Sequence, residues 1–293
     1  MRSSPENPES ARDLGLVSDR LIRIALQEDL GARGDMTTKA IFPQVCRGTA
    51  NLIAKAVGTL SGIEIAEKTF KFVDSNLHIE RNHQDGDHLD QRSLILSVSG
   101  SVASILTAER TALNFVGRLS GIATMTRQFV DRVRGTRAII LDTRKTTPGF
   151  RALEKYAVRC GGGENHRFGL DEMILIKDNH IAATASMAVA IRRCRDEMKQ
   201  RGFHIPIEVE VADLDMVKEA LAFRVDRIML DNMSLEEMRA AVKLVDGQIP
   251  LEASGNVTLD TVSEIARTGV DYISVGSLTH SVKNLDVSLK VIG

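Results

Sequence analysis

The chain has no tryptophan and only 4% aromatic residues, too few ring faces to stack successive bases of a single-stranded nucleic acid. It has no excess of one charge: 38 Lys and Arg stand against 39 Asp and Glu, a formal net charge of −1, which excludes a generally basic nucleic-acid binder. Cysteines number three, Cys46, Cys160 and Cys194, with no Cys-x-x-Cys pair, so neither a disulfide framework nor a cysteine zinc site is indicated. No run approaches the ~18 apolar residues of a membrane span, and the opening MRSSPENPESARD lacks the apolar stretch of a secretory signal. A reducing, cytoplasmic setting is the default expectation. Neither G-x-x-x-x-G-K-[ST] nor G-x-G-x-x-G occurs, so a P-loop or a Rossmann fingerprint is unsupported. What remains is a globular composition, 43% hydrophobic and 26% charged, over 293 residues, enough for two domains or one large barrel.

Two rhythms divide the chain. Residues 1 to 15 are polar and carry Pro5 and Pro8, which reads as a flexible leader before a helix over Val17 to Leu30. From Gly48 to Gly100, alternating apolar runs broken by Gly, Asn and Asp turns enclose one helical stretch, GIEIAEKTFKFVD, and predict a small α+β domain. Helical spacing of apolar residues continues from Ser101 to Gly135, with Arg110 riding on that helix or helix pair. Beyond it, short strands (AIILD, MILIK, IEVEV, RIMLD, PLEAS, YISVG) alternate with helical segments, the βα repeat of a parallel barrel or doubly wound sheet. Ser234-Leu-Glu-Glu237 fits a capping box, and Gly202 and Gly269 sit where helices should end. Such folds carry their chemistry at the C-terminal strand ends. Arg144, Lys177, Glu210, Asp231, Ser254 and Gly276 fall there.

The polar residues at these ends are unevenly chosen. Arg144 and Lys145 lie in a Pro-Gly loop, His166 and Arg167 follow Gly161-Gly-Gly, and Lys177 closes the next strand. With Arg110 they make six potentially cationic groups, so the ligand implied carries several negative charges. Lys177 has a second reading, the Schiff-base amine of a barrel lyase or aldolase. Glu208 and Glu210 share a strand face, where buried charge demands a partner. Glu210 and Asp231 suit Mg²⁺, ribose hydroxyls, or positive charge developing on a sugar carbon. Ser254-Gly-Asn256, with a helix predicted to begin near Thr258, and Gly276-Ser277 suggest backbone phosphate sites. His78, His83 and His88 read as a polar hairpin loop, and Cys160 as a small packed residue.

The run DTRKTTPGFRALEKYAVRCGGGENHRFGLDEMILIKDNHI is more specific than composition, and it resembles the quinolinate phosphoribosyltransferase family. The stretches EDLGARGDMTT, ERTALNFVGRLSGIAT, EVEVADL, IMLDNM, LEASGNVTLD and GVDYISVGSLTHS extend the resemblance from about residue 24 to 290. It implies an N-terminal α+β open-faced sandwich (16–116, completed by 277–293) on an incomplete, TIM-like β/α barrel (117–276), in a homodimer with a shared active site. It also implies that quinolinate and phosphoribosyl pyrophosphate (PRPP) react with Mg²⁺ present. By resemblance, Arg110 is lent across the dimer interface, and Arg144, His166, Arg167 and Lys177 hold the quinolinate carboxylates. Lys145, Glu210 and Asp231 surround PRPP and its Mg²⁺, while Ser254, Gly255, Gly276 and His280 match the phosphate end. Asn256 stands where many members carry glycine. A paralogue acting on another aromatic acid is the nearest alternative.

Overall fold

The computed structural model describes residues 12–42, 44, 46–184 and 186–292. Most of the expected leader, residues 1–11, therefore lies outside the described residues, and its last residues are already structured. Helix α1 spans Leu14–Leu30 and starts earlier than the apolar spacing predicts, because the Asp13 carboxylate accepts the Leu16 backbone N–H and caps it. The chain folds into two compact units. The first takes in the described residues through Arg127, Thr146–Gly162 and the chain from Thr279, and the second takes in Gln128–Lys145 and Gly163–Leu278.

In the first unit, α1 is followed by α2 (Met36–Ile41), β1 (Arg47–Ala54), β2 (Gly58–Thr59), α3 (Ile63–Val73), β3 (His78–Arg81), β4 (His88–Leu89), β5 (Leu94–Ser101) and the long α4 (Val102–Arg132). The apolar spacing after Ser101 thus yields one helix, Val102–Arg132, rather than a pair. The main sheet is antiparallel in the order β12-β1-β5-β3, with β12 (Val287–Ile292) laid along β1 from Thr49↔Ile292 to Ala54↔Val287. Alternation in β1 and β5 buries one sheet face, where Leu52, Leu96 and Val98 meet Phe70 of α3 and Ile105, Ala112 and Val116 of α4. The three spaced histidines are not one hairpin: β3 pairs with β5 and β4 with β2, so His78 and His88 join different ladders.

The second unit has six parallel strands: β6 (Ile139–Leu141), β7 (Ile174–Ile176), β8 (Ile207–Val211), β9 (Arg227–Asp231), β10 (Leu251–Ser254) and β11 (Tyr272–Ser274). Helix α5 (Arg151–Cys160) intervenes in sequence but belongs to the first unit. The others are α6 (Asp178–Thr184), α7 (Met187–Arg201), α8 (Leu214–Ala222), α9 (Leu235–Val245), α10 (Val262–Ala266) and α11 (Ser277–His280), whose last two residues belong to the first unit. The strand order is β6-β11-β10-β9-β8-β7, the parallel sequence of a β/α unit. The burial of Ile228, Met229 and Leu230 in RIMLD, and of nearly all of IEVEV despite its two glutamates, fits strands covered on both faces. The Ser234–Glu237 capping box forms on α9, and Gly202 ends α7 at φ 69°. The expected helix near Thr258 is displaced: Thr258 and Thr261 exchange side-chain and backbone hydrogen bonds, and this competing local turn delays α10 to Val262.

Candidate active site

At the C-terminal strand ends of the second unit lies a pocket of about 550 Å³. Arg144, Lys145, His166, Arg167, Lys177, Glu210, Asp231, Ser254, Gly255 and Asn256 all line it. Gly276 lies between β11 and α11 and is not among the lining residues. Arg110, exposed on α4, and His280, exposed at the end of α11, belong to the first unit.

The loop carrying His166 is built onto the end of β6. Asp142, fully buried just past that strand, accepts the His166 backbone N–H at 2.9 Å and the Asn165 side-chain amide at 2.7 Å. Backbone bonds between Glu164 and Ile140 and between Asp142 and Glu164 fix the same loop. Arg167 donates to the Met173 carbonyl at 2.8 Å, which aims it along the pocket wall. Burial first, and Arg144 nearby second, lower the Arg167 pKa, against the pull of Glu208. Lys177 Nζ donates to Glu210 Oε2 at 2.5 Å, an ion pair that ties the end of β7 to the end of β8.

Beneath this rim the expected partner for Glu208 is found. His166 Nε2 lies 3.1 Å from Glu208 Oε2 and 3.5 Å from Glu252 Oε2, and Arg227 pairs with Glu252 at 2.9 Å while stacking over the Tyr272 ring at 4.1 Å. The Arg167 backbone N–H donates to His166 Nδ1 at 2.8 Å, so the hydrogen-bond network assigns the imidazole proton to Nε2. A proton there faces the carboxylates and leaves no lone pair for a metal, although the three residues converge closely enough to suggest one. Burial and then Glu208 push Glu252 up to about 7. Burial likewise raises Glu208, against the pull of Arg227.

On the opposite wall, the loops after β9 and β10 interlock through left-handed backbone. Asn232, Gly255 and Asn256 have φ of 54°, 98° and 50°. The Asn232 backbone N–H donates to the Ser254 carbonyl at 2.9 Å, and the Asn256 amide donates to Asn232 Oδ1 at 3.0 Å. A Cβ on Gly255 would run into the Asn232 amide, so glycine is required there by both space and φ. Asparagine is one of the few other residues at ease in this region, which accounts for Asn232 and Asn256 at positive φ.

Sequence reasoning missed Thr143, Asn232, Glu252 and Ser274 in the pocket wall, and Asp142 behind it. Glu252 carries the same signal that marked Glu208, a carboxylate inside an otherwise apolar strand. Asn232 follows Asp231 at a strand end and was legible by position alone.

A parallel α/β unit with cations, carboxylates and a Gly-turn in one pocket defines a protein that handles polyanions. The sequence profile of the quinolinate phosphoribosyl transferase C-terminal domain matches residues 122–290, and that of the N-terminal domain matches residues 35–120. The chain belongs to this family. It is 43% identical to the chloroplastic nicotinate-nucleotide pyrophosphorylase [carboxylating] of Arabidopsis thaliana over 286 residues, covering 92% of this chain and 82% of that protein. It is 44% identical to the probable enzyme of the same name from Bacillus subtilis over 273 residues, covering 93% and 92%. The solved nicotinate-nucleotide pyrophosphorylases of Francisella tularensis and Ehrlichia chaffeensis are 40% and 42% identical, with TM-scores of 0.88 and 0.89. Each alignment covers 94% of this chain, with 96% and 98% of the respective neighbour.

Proposed function

We infer that this chain is a decarboxylating quinolinate phosphoribosyltransferase, which converts quinolinate and PRPP to nicotinate mononucleotide, pyrophosphate and CO₂ in NAD biosynthesis. The observation that carries the reading is the joint presence of Arg144, Lys145, Arg167 and Lys177 with Glu210, Asp231 and the Ser254–Asn256 loop in one pocket. The pyridine nitrogen of quinolinate attacks C1 of PRPP, pyrophosphate leaves through an oxocarbenium-like state, and the N-alkylated ring loses its 2-carboxylate as CO₂. The electron pair left on that carbon is stabilised by the adjacent cationic nitrogen and then takes a proton.

In this reading Arg144, Arg167 and Lys177 neutralise the quinolinate carboxylates, and His166 shapes their wall while its Nε2 stays turned to Glu208 and Glu252. Lys145, Ser254, Gly255, Gly276 and His280 serve the phosphates of PRPP, and Glu210 and Asp231 the sugar. Glu210, Asp231 and Asn232 offer hard oxygen donors to the pocket, a set that fits Mg²⁺, which keeps several waters and substrate oxygens of its own. When bound, Mg²⁺ supplies charge neutralisation for the leaving pyrophosphate. We place the enzyme in the cytoplasm as a homodimer; among the described residues no helix is long and apolar enough to cross a membrane. Exposure of Arg110 on α4 suits an arginine lent to a partner's site.

The test is to incubate the purified protein with quinolinate, PRPP and Mg²⁺ and follow nicotinate mononucleotide and CO₂, with nicotinate as control substrate. Product from quinolinate alone is expected, and product from neither in a folded protein would overturn the reading. Arg144→Ala and Lys177→Ala should each cut kcat/KM for quinolinate by roughly 100-fold or more while the circular dichroism stays native. An Arg110→Ala chain mixed with a Lys177→Ala chain should regain activity through hybrid sites, and no rescue after proven subunit exchange would refute the shared site.

A further inference from the structure

The loop that brings Arg167 to the pocket lies wholly in the second unit and is held by a series of backbone bonds. The Glu164 N–H donates to the Ile140 carbonyl at 2.8 Å, the His166 N–H to Asp142 Oδ1 at 2.9 Å, and the Arg167 N–H to His166 Nδ1 at 2.8 Å. The Phe168 N–H donates to a Glu172 carboxylate oxygen. Three of these acceptors are carbonyl or carboxylate oxygens, which accept in the forms they ordinarily hold. The acceptor for Arg167 is a ring nitrogen, which accepts only while it carries no proton. That bond therefore depends on where His166 keeps its proton.

The choice is made beneath the pocket. His166 is 8% exposed, and its Nε2 lies 3.1 Å from Glu208 Oε2 and 3.5 Å from Glu252 Oε2. A proton on Nε2 meets two acidic side chains. Moved to Nδ1, it would confront the Arg167 N–H, donor against donor, and leave the Nε2 lone pair facing the acids. Two carboxylates alone would draw a second proton onto the ring, and Arg227, paired with Glu252 at 2.9 Å from the neighbouring strand, offsets that pull. We propose that Glu208 and Glu252 are positioning residues for quinolinate: they hold the His166 proton on Nε2, which frees Nδ1 to fix the backbone of Arg167. This rests on the reading that assigns Arg167 to a quinolinate carboxylate. His166 then serves the substrate through its neighbour's main chain, and its working form is the neutral ring, not an imidazolium. Both residues of this loop that are assigned to a substrate, His166 and Arg167, serve quinolinate, so a loosened loop registers on that substrate.

Ring-nitrogen NMR of the protein carrying isotope-labelled histidine tests the proposal before and after addition of quinolinate, with the His166 signals identified by their absence from His166→Phe. One protonated and one unprotonated nitrogen are expected in both states, with the proton on Nε2. A proton on Nδ1, or two protonated nitrogens with quinolinate bound, overturns the proposal. Kinetics supply the second arm. Glu208→Leu removes the nearer acceptor and should mix the two tautomers and raise the KM for quinolinate roughly tenfold, with the KM for PRPP within about twofold of the parent. Glu208→Gln keeps an amide oxygen to face Nε2 and should stay within about threefold for both substrates. Equal rises in both KM values in Glu208→Leu, as a loosened scaffold would give, or no rise in either, overturn the role. If Glu208→Leu does not fold, the spectrum of the parent decides alone. Calorimetric titration of quinolinate into the parent separates the two layers. No binding overturns the functional reading and this role together, whereas binding with His166 doubly protonated overturns the role alone.

Discussion

Glu154 in the first unit and the Glu208–Glu252 pair in the second are all buried completely, yet they meet that burial in opposite ways. Glu154 has three donors: a guanidinium, a hydroxyl and a backbone N–H. Glu208 and Glu252 face one imidazole and one guanidinium between them, and among the described residues neither Glu208 oxygen accepts a well-formed hydrogen bond. Burial is the same, so burial alone does not set the character of an acid; the number and charge of its donors do. One site reads as a joint in the scaffold, the other as a charge-poor floor beneath a substrate pocket.

The comparison is broken most severely at Arg118. Arg118→Ala leaves Glu154 buried without its cation, a situation that costs about 3 to 5 kcal/mol, and a urea titration should show the midpoint falling sharply. An unchanged midpoint would mean that the hydroxyl and backbone donors alone satisfy the carboxylate.

Glu252 gives the next effect, with a definite sign. Its folded pKa, about 7, lies above the ordinary 4.5, so the folded state holds the proton more tightly than the unfolded chain does. That stabilisation is complete below about pH 4.5 and is lost as the pH rises through 7. Glu208, His166, Arg227 and Ser274 face the group and set the balance. Wild-type stability should decline across this window by an amount on the order of 3 kcal/mol, and Glu252→Gln, neutral throughout, should flatten the decline. Parallel curves of melting temperature against pH would show that Glu252 stays ionised.

Smaller effects belong to the left-handed loops of the pocket. Gly255→Ala needs both a shift of Asn232 and a strained φ, about 1 to 3 kcal/mol, and should raise the KM for PRPP. Asn256→Gly keeps the conformation and loses one amide contact, so its change in stability should stay within about 1 kcal/mol by thermal melt. A larger loss would give the Asn256–Asn232 contact more weight than its exposure suggests.

Much of the second unit was legible because its strands are continuous apolar runs, each ending in a polar residue, and that polarity has no use in a core. The rule led directly to Lys177, Glu210, Asp231 and Ser254. It failed for Glu252, where one acid inside PLEAS looks incidental until β10 is set beside β9 and brings Arg227 to it. Glu154 was less visible still. In ALEKYAV a glutamate beside a lysine has the appearance of a solvated helix face, and only tertiary contacts with Arg118 and Thr147 bury it. The delayed start of α10 was hidden in the side-chain chemistry of Thr258 and Thr261, which periodicity does not weigh. That the C-terminal tail completes the first unit came from family resemblance, and its pairing with β1 came from the structure alone, since nothing in VSLKVI names its partner.

That last pairing sets an order of events during synthesis. Strand β1 leaves the ribosome well before β12, the strand that covers its free edge. Until then the nascent first unit exposes an unpaired strand edge next to an apolar face, the kind of surface that recruits chaperones or pairs with a neighbouring chain. Completion of the first unit thus waits on synthesis of Val287–Ile292, and ribosome-bound chains stalled before Val287 should be more sensitive to protease in the first unit than the released protein is.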